Sequence, residues 1–347
     1  MSIAITDDHA RHQISPNTPI VILAPGFGHT QSDYIGLSFF LAANRLRVLR
    51  YDHTNHVGQS DGDSLQTTLR NMQVDLQTVL EFAHTTWPTA PITILAEDVA
   101  ARVAIKVAAQ QQTARLLLLV NPVLDVHLSL ATGYRHDILG DYQHGLRRGV
   151  ANLWGLNVNL DQFLGDALAG DYADLATTVA DLSTLPSPPV VLISPHKEAP
   201  RDSTYGPLDP CLRGLAVQPA VLPLPADLCL YSTALDDRHL AAFNLVLKQI
   251  AAAGEDEPSS LERREPALRD IHRQRQLEDE RTRIRHHVSQ ATRDALWVAH
   301  LAQLPQLGAL HDYWGLLEEL YRWALPLDPG MTIVDLRSEE HTSELQS

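Results

Sequence analysis

The stretch "PITILAEDVAARVAIKVAA" (residues 91–109) decides how this chain is read. Its first half is a short apolar run ending at Ala96, the length of one buried strand. Its second half sets Val99, Val103 and Val107 four apart, on one face of a helix. Small residues flank the join, Ala96-Glu97-Asp98-Val99-Ala100, as suits a strand that turns sharply into a helix. A turn of that kind lifts its central side chain clear of the sheet edge. The central residue is Asp98, and the question is whether this acid reacts or only binds.

Strand-like and helix-like segments alternate on both sides of this elbow, from about residue 20 to residue 254. "PIVILAPGF" (19–27), "LRVLRYDHT" (46–54) and "ARLLLLVNPV" (114–123) read as strands. They are nearly all apolar, as expected for a parallel sheet covered by helices on both faces. "DYIGLSFFLAANR" (33–45) reads as a helix. Residues 64–87 read as another, with Leu65, Leu69, Met72, Leu76, Val79 and Leu80 as its stripe and Asp63 or Ser64 as its N-cap. From about 124 to 186 the alternation stops, and this excursion predicts a helical cap over the carboxyl ends of the strands, with Tyr134, Tyr142 and Tyr172 inside it. "PPVVLISPH" (188–196) and "AVQPAVLPLP" (216–225) return to the sheet. Residues 234–254 close it, with Leu240, Phe243, Leu247 and Ile250 on one face. The predicted class is α/β, a doubly wound and mostly parallel sheet.

Composition narrows the function. The chain has 347 residues, 44% hydrophobic and 20% charged, which allows a large core. Its net charge of −15, from 27 basic and 42 acidic residues, argues against a nucleic-acid or anionic-membrane partner. Cys211 and Cys229 form no metal-ligand or disulfide framework and read as reduced thiols. No run approaches the ~18 apolar residues of a spanning helix, and the first residues lack the pattern of a secretory leader. The expectation is a cytoplasmic protein with no transmembrane segment and no metal.

The segments "VILAPGFG" (21–28), "RVLRYDHTNHVGQSDGD" (47–63), "LAEDVAAR" (95–102) and "NPVLDVHLSL" (121–130) carry a resemblance. Through them residues 20–250 resemble the α/β-hydrolase superfamily. Within it they look most like the acyl-transferase, or acyl-carrier-protein thioesterase, family of bacterial bioluminescence. The resemblance implies a small-molecule or acyl-carrier substrate, a serine nucleophile at the elbow, two backbone N–H groups for the oxyanion, and a histidine oriented by an acid. The oxyanion donors map onto Phe27, between Gly26 and Gly28, and onto Val99. The serine maps onto Asp98. The histidine belongs in the loop after the last strand, and "PADLCLYSTALDD" (225–237) has none. His239 follows inside a helical pattern and reads as a packing residue. Glu198, Asp202 or Asp209 would supply the acid, and His29 or His56 a replacement base.

Aspartate nucleophiles occur in the superfamily, where they attack alkyl carbons. Against an acyl carbon the same attack would yield a reactive anhydride. Glu97 beside Asp98 suggests a further role, in which a desolvated, protonated Asp98 donates a hydrogen bond to a substrate carbonyl. Three readings therefore stand: an enzyme for an acyl or ester-like substrate with a changed mechanism, a non-catalytic acyl-binding pocket of the pseudoenzyme type, and a structural domain.

Beyond residue 254 the composition shifts. Residues 255–290 read as a charged helical linker with interleaved acids and bases. "LYRWALPLDPGMTIVDL" (320–336) resembles the approach to motif I of class I S-adenosylmethionine-dependent methyltransferases, so 291–336 are read as the truncated start of such a domain. The Gly-x-Gly turn that would admit the cofactor is replaced by residues 337–347, which read as a translated sequencing adapter. The expectation is no cofactor in this chain, and S-adenosylmethionine for the complete fused protein.

Overall fold

Seven strands form one sheet: β1 (Ile5–Asp8), β2 (Ile20–Ala24), β3 (Arg47–Tyr51), β4 (Ile92–Glu97), β5 (Leu116–Val120), β8 (Val190–Ile193) and β9 (Ala220–Pro223). Their spatial order is β1-β3-β2-β4-β5-β8-β9, and only β1 runs antiparallel to its neighbour. The computed structural model describes residues 2–9, 15–193, 219–224, 230, 237–253, 271 and 273–278. The chain divides into units 1–275 and 276–347, and every element described here belongs to the first.

Alternation along the strands builds two cores. Ile20, Ile22 and Ala24 of β2, with Ile92, Ile94 and Ala96 of β4, join α2 (Leu69–Thr86) and α3 (Val99–Gln111) in one cluster. Val21, Leu23 and Leu95 point the other way. They meet α1 (Ile35–Ala43) and α8 (Asp237–Ala253) through Leu37, Phe40, Phe243 and Val246. All of β2 and β4 is buried, which is why these strands read as unbroken apolar runs.

The chain leaves β2 toward β3 on one side and returns to β4 on the other. Strand order reverses there, so the loops after β2 and β4 diverge and open a crevice at their carboxyl ends. The chemistry-bearing residues of the sequence fall beside that crevice.

Two features depart from the sequence reading. The first is β1, which lies ahead of the expected first strand. It is a short edge strand whose acids carry no apolar signal, and it is held by ion pairs from Asp7 to Arg47 (3.6 Å) and Asp8 to Arg50 (2.5 Å). The second is the cap, expected to be helical. It contains α4 (Val126–Tyr134), α5 (Ile138–Gln143), α6 (Leu160–Ala169) and α7 (Leu175–Ser183), but also a hairpin of β6 (Val150–Leu153) and β7 (Leu156–Asn159). Its two-residue turn, Trp154-Gly155, has both φ values positive, at 46° and 96°. That is the twist a tight hairpin needs, and Gly155 supplies it without strain.

The motif at 47–63 is a scaffold. Buried Asp52 accepts from the Gln31 N–H (2.7 Å), Gln31 Nε2 (3.0 Å) and the Gln59 N–H (2.7 Å). A Cβ on Gly58 would lie 2.3 Å from the Asp52 carboxyl carbon, so only glycine lets the loop wrap this acid.

Arg102, one turn into α3, ties the cap to the core. Its guanidinium is buried, pairs with Asp181 of α7 at 2.7 Å and donates to the Asp171 carbonyl at 2.6 Å. Burial pulls its pKa down and Asp181 opposes that, which leaves a cation with its partner in place. Removing one member of such a pair strands the other. Arg102→Ala is expected to lower unfolding free energy by roughly 3 kcal/mol, measured by urea denaturation; a loss below about 0.5 kcal/mol would mean the pair does not hold the cap.

Candidate active site

The elbow has the backbone its sequence demands. Asp98 lies at φ 55° and ψ −129° between the end of β4 and the first residue of α3. A non-glycine residue there costs roughly 1–3 kcal/mol unless its surroundings impose it. Three hydrogen bonds do so. The Asp98 N–H donates to the Val120 carbonyl (3.1 Å), and its carbonyl accepts from the Val123 (3.0 Å) and Ala101 (3.2 Å) N–H groups. Val99 and Ala100 are fully buried behind it, while Asp98 itself is half-buried.

Gly26 brings the loop after β2 against this elbow. A Cβ placed on Gly26 would lie 3.5 Å from Asp98 Cβ and 3.3 Å from His29 Cδ2. Gly26 thus packs closely against both His29 and Asp98. The His29 N–H donates back to the Gly26 carbonyl at 3.1 Å, which closes the turn.

His29 has an acid on its other side. Asp33 Oδ2 stands 3.6 Å from His29 Nδ1, an ionic contact one helical turn away. Burial lowers the His29 pKa, but Asp33, Glu97 and Asp98 together outweigh it and raise the pKa above the ordinary value of 6.5. Burial raises that of Asp33, and His29 and the Thr30 hydrogen bonds outweigh it, so the carboxyl titrates below its usual range. Asp33 is fixed by the Thr30 N–H at 2.8 Å, part of a capping box. The sequence reading passed over Asp33. The available signal was "HTQSD" (29–33), a capping-box spacing that starts one residue after His29.

His56 has a different environment. Its Nε2 accepts the Gly28 N–H at 3.1 Å, so the ring is neutral with its proton on Nδ1. Desolvation, with His53 and His29 nearby, lowers its pKa to about 3. Its lone pair is already used, so this arrangement offers His29 rather than His56 as a base. Glu97 is buried, and Tyr34 Oη donates to its Oε2 at 3.1 Å. Its charge also acts on His29. His239 is buried in α8 with its ring 6.4 Å from that of Phe243, as its helical spacing implied. Glu198, Asp202 and Asp209 lie outside the described residues.

Both expected oxyanion donors border Asp98. Val99 opens α3, so its N–H has no intrahelical acceptor. Phe27 lies in the loop after β2, and among the described residues its N–H donates to no protein group. The Phe27 ring makes edge contacts with His56 (5.1 Å), Trp154 of the cap hairpin (5.4 Å) and Phe163 (6.0 Å). This aromatic cluster brings the cap down onto the crevice. Among the described residues no group of three or more His, Cys, Asp or Glu side chains has metal-binding geometry, and no helix is long and apolar enough to cross a membrane.

Residues 2–199 match a protein-family model described as Acyl transferase. Curated relatives include an acyl transferase of Photobacterium leiognathi, 29% identical over 52% of this chain and 58% of its own length. Another from Photobacterium phosphoreum is 22% identical over 55% of this chain and 62% of its own. The chain thus spans about three-fifths of the length of these relatives. Solved structures of similar fold include Est1E of Butyrivibrio proteoclasticus with ferulic acid bound. It has a TM-score of 0.53 and 16% identity over 72% of this chain and 96% of its own. The monoglyceride lipase of Saccharomyces cerevisiae has a TM-score of 0.55 and 13% identity over 74% and 92%. Those two establish the α/β-hydrolase fold.

The two histidines oppose each other in their effect on stability. The raised pKa of His29 contributes stability that is fully present below pH 6.5 and lost as pH rises through its folded value. The depressed pKa of His56 contributes stability present above pH 6.5 and lost as pH falls toward about 3. His56→Leu is therefore expected to shrink the loss of melting temperature between pH 6.5 and 3, read by thermal denaturation in a pH series; an unchanged slope would contradict the placement of His56.

Proposed function

This chain belongs to the acyl transferase family, and from that premise we propose that it acts on an acyl or ester-like substrate through Asp98 and His29. The observation that carries the reading is His29, 3.6 Å from Asp33 and with its pKa raised by Asp33, Glu97 and Asp98 against the lowering by burial. Direct attack by Asp98 on an acyl carbon would give an anhydride more reactive than the ester consumed. The better use of the pair is general-base catalysis. His29 takes a proton from water, or from an acceptor hydroxyl or thiol, as that oxygen or sulfur attacks the carbonyl carbon. The oxyanion forms against the Phe27 and Val99 N–H groups. It then collapses, the carbon–oxygen or carbon–sulfur bond to the leaving group breaks, and the His29 imidazolium returns the proton to that group. Asp98 and Asp33 stabilise the imidazolium, which offsets the repulsion of a carboxylate for the oxyanion.

Activity needs neutral His29, so the rate rises with pH through a value above 6.5. Turnover of p-nitrophenyl esters and acyl thioesters is expected to fall roughly 100-fold or more in His29→Gln, and likewise in Asp98→Ala. Asp33→Asn moves the pH limb downward, since it removes a charge that raises the His29 pKa. Turnover unchanged in His29→Gln and Asp98→Ala would end this assignment. The second reading, a non-catalytic acyl-binding pocket, is favoured by the acid standing where a serine would. It predicts no turnover but a ligand-dependent rise in melting temperature with acyl chains.

The source of the acyl group, free ester or acyl carrier, and a cytoplasmic place of action belong to this proposal. So does the division into a domain at 1–254, a linker at 255–290 and a truncated methyltransferase start at 291–336. The last two lie almost wholly outside the described residues. Titration with S-adenosylmethionine is expected to show no binding to this chain; binding would refute the truncated reading.

A further inference from the structure

The loop leaving β2 offers its backbone donors unequally. Pro25 has no N–H. The Gly26 N–H donates to Tyr34 Oη at 3.2 Å, and the Gly28 N–H donates to His56 Nε2 at 3.1 Å. Between them, the Phe27 N–H donates to no protein group among the described residues. We propose that Tyr34 and His56 are positioning residues that clamp the two glycine amides, so that the Phe27 N–H is the one donor this loop presents to a substrate oxygen. The inference rests on the acyl reading for its ligand but not for its geometry.

Two glycines around one phenylalanine make a loop with many accessible conformations. A rotated peptide would present a carbonyl where the hole needs an N–H, and the site would then repel the oxyanion. The clamp removes that freedom from both sides. Tyr34 is itself anchored, because its hydroxyl donates to Glu97 Oε2 at 3.1 Å. Glu97 is the last residue of β4, next to the elbow. The loop donor is thereby referenced to the strand that carries the second donor, Val99. His56 is held edge-on against the Phe27 ring, at 5.1 Å, so it grips the loop by a hydrogen bond and by packing.

Stability alone does not account for His56. With Nε2 accepting, its Nδ1–H is a buried donor without a protein partner. An unmade bond of this kind costs free energy that leucine would not incur, and the Gly28 N–H that leucine would release belongs to an exposed residue that water can reach. A merely structural role therefore predicts that leucine does as well or better, whereas a positioning role predicts a stable protein with a misaligned hole.

The test uses the full chain with His56→Leu, His56→Gln and Tyr34→Phe, a p-nitrophenyl acyl ester as substrate, and amide hydrogen exchange resolved at residues 26–28. His56→Leu is expected to keep its melting temperature, to lose roughly tenfold or more in kcat with KM unchanged, and to lose protection at the Gly28 amide. His56→Gln keeps an acceptor and recovers most of both. Tyr34→Phe loses protection at Gly26. Unaltered kcat and exchange in His56→Leu, or a loss of kcat that only tracks a fall in melting temperature, overturns the clamp. Should the unaltered chain turn over no ester, the acyl reading fails, and exchange still decides the clamp: Gly26 and Gly28 protected and released by the substitutions supports it, and no release overturns it.

Discussion

The left-handed backbone of Asp98 is the constraint on which the site depends. It is held against its own conformational cost by the Val120 carbonyl and the Val123 N–H, both from the β5 edge of the crevice. Those bonds fix where β4 ends and where α3 begins. They put the Val99 N–H at the head of a helix and lift the Asp98 carboxyl toward the loop after β2. That loop reaches the elbow because Gly26 has no side chain to hold it off.

An acid in this position changes what the surrounding groups are worth. In a serine-based site the charge develops only during the reaction. Here the charges of Glu97, Asp33 and Asp98 all act on His29 before any substrate arrives. The histidine therefore keeps its proton to higher pH than a free imidazole would. His56, a short way along the same wall, is driven in the opposite direction by burial. Two histidines with opposite shifts thus stand apart, one among carboxylates and the other accepting a fixed hydrogen bond. Such division by environment is how one pocket assigns unlike roles to like side chains.

The fold was readable because its signals are local. Apolar runs in β2, β4 and β5, the stripe of α2 and the small residues around Asp98 each report on their own few neighbours. The site was readable only in part. The candidates Asp98 and Val99 come from the elbow, Phe27 from the glycines that flank it, and His29 and His56 alike from loops at the carboxyl ends of strands. Nothing local separated His29 from His56, because the difference lies in what each ring meets in space: Asp33 and the elbow for one, the Gly28 N–H for the other. Tyr34 carried no functional mark, since its hydroxyl reaches Glu97 across 63 positions of sequence. The motif at 47–63 carries the resemblance; its Asp52 wraps a loop, and its His56 accepts the Gly28 N–H.

α3 is where this architecture joins two levers. Its first residue, Val99, follows Asp98 directly, and Arg102, one turn on, grips the cap through Asp181 and the Asp171 carbonyl. A helix is stiff along its axis over so short a distance, so load applied to the cap arrives at the elbow almost undiminished. Cap and elbow are thereby tied to one short stretch of helix, so a change that loosens Asp181 or the Asp171 carbonyl is felt three residues from Val99.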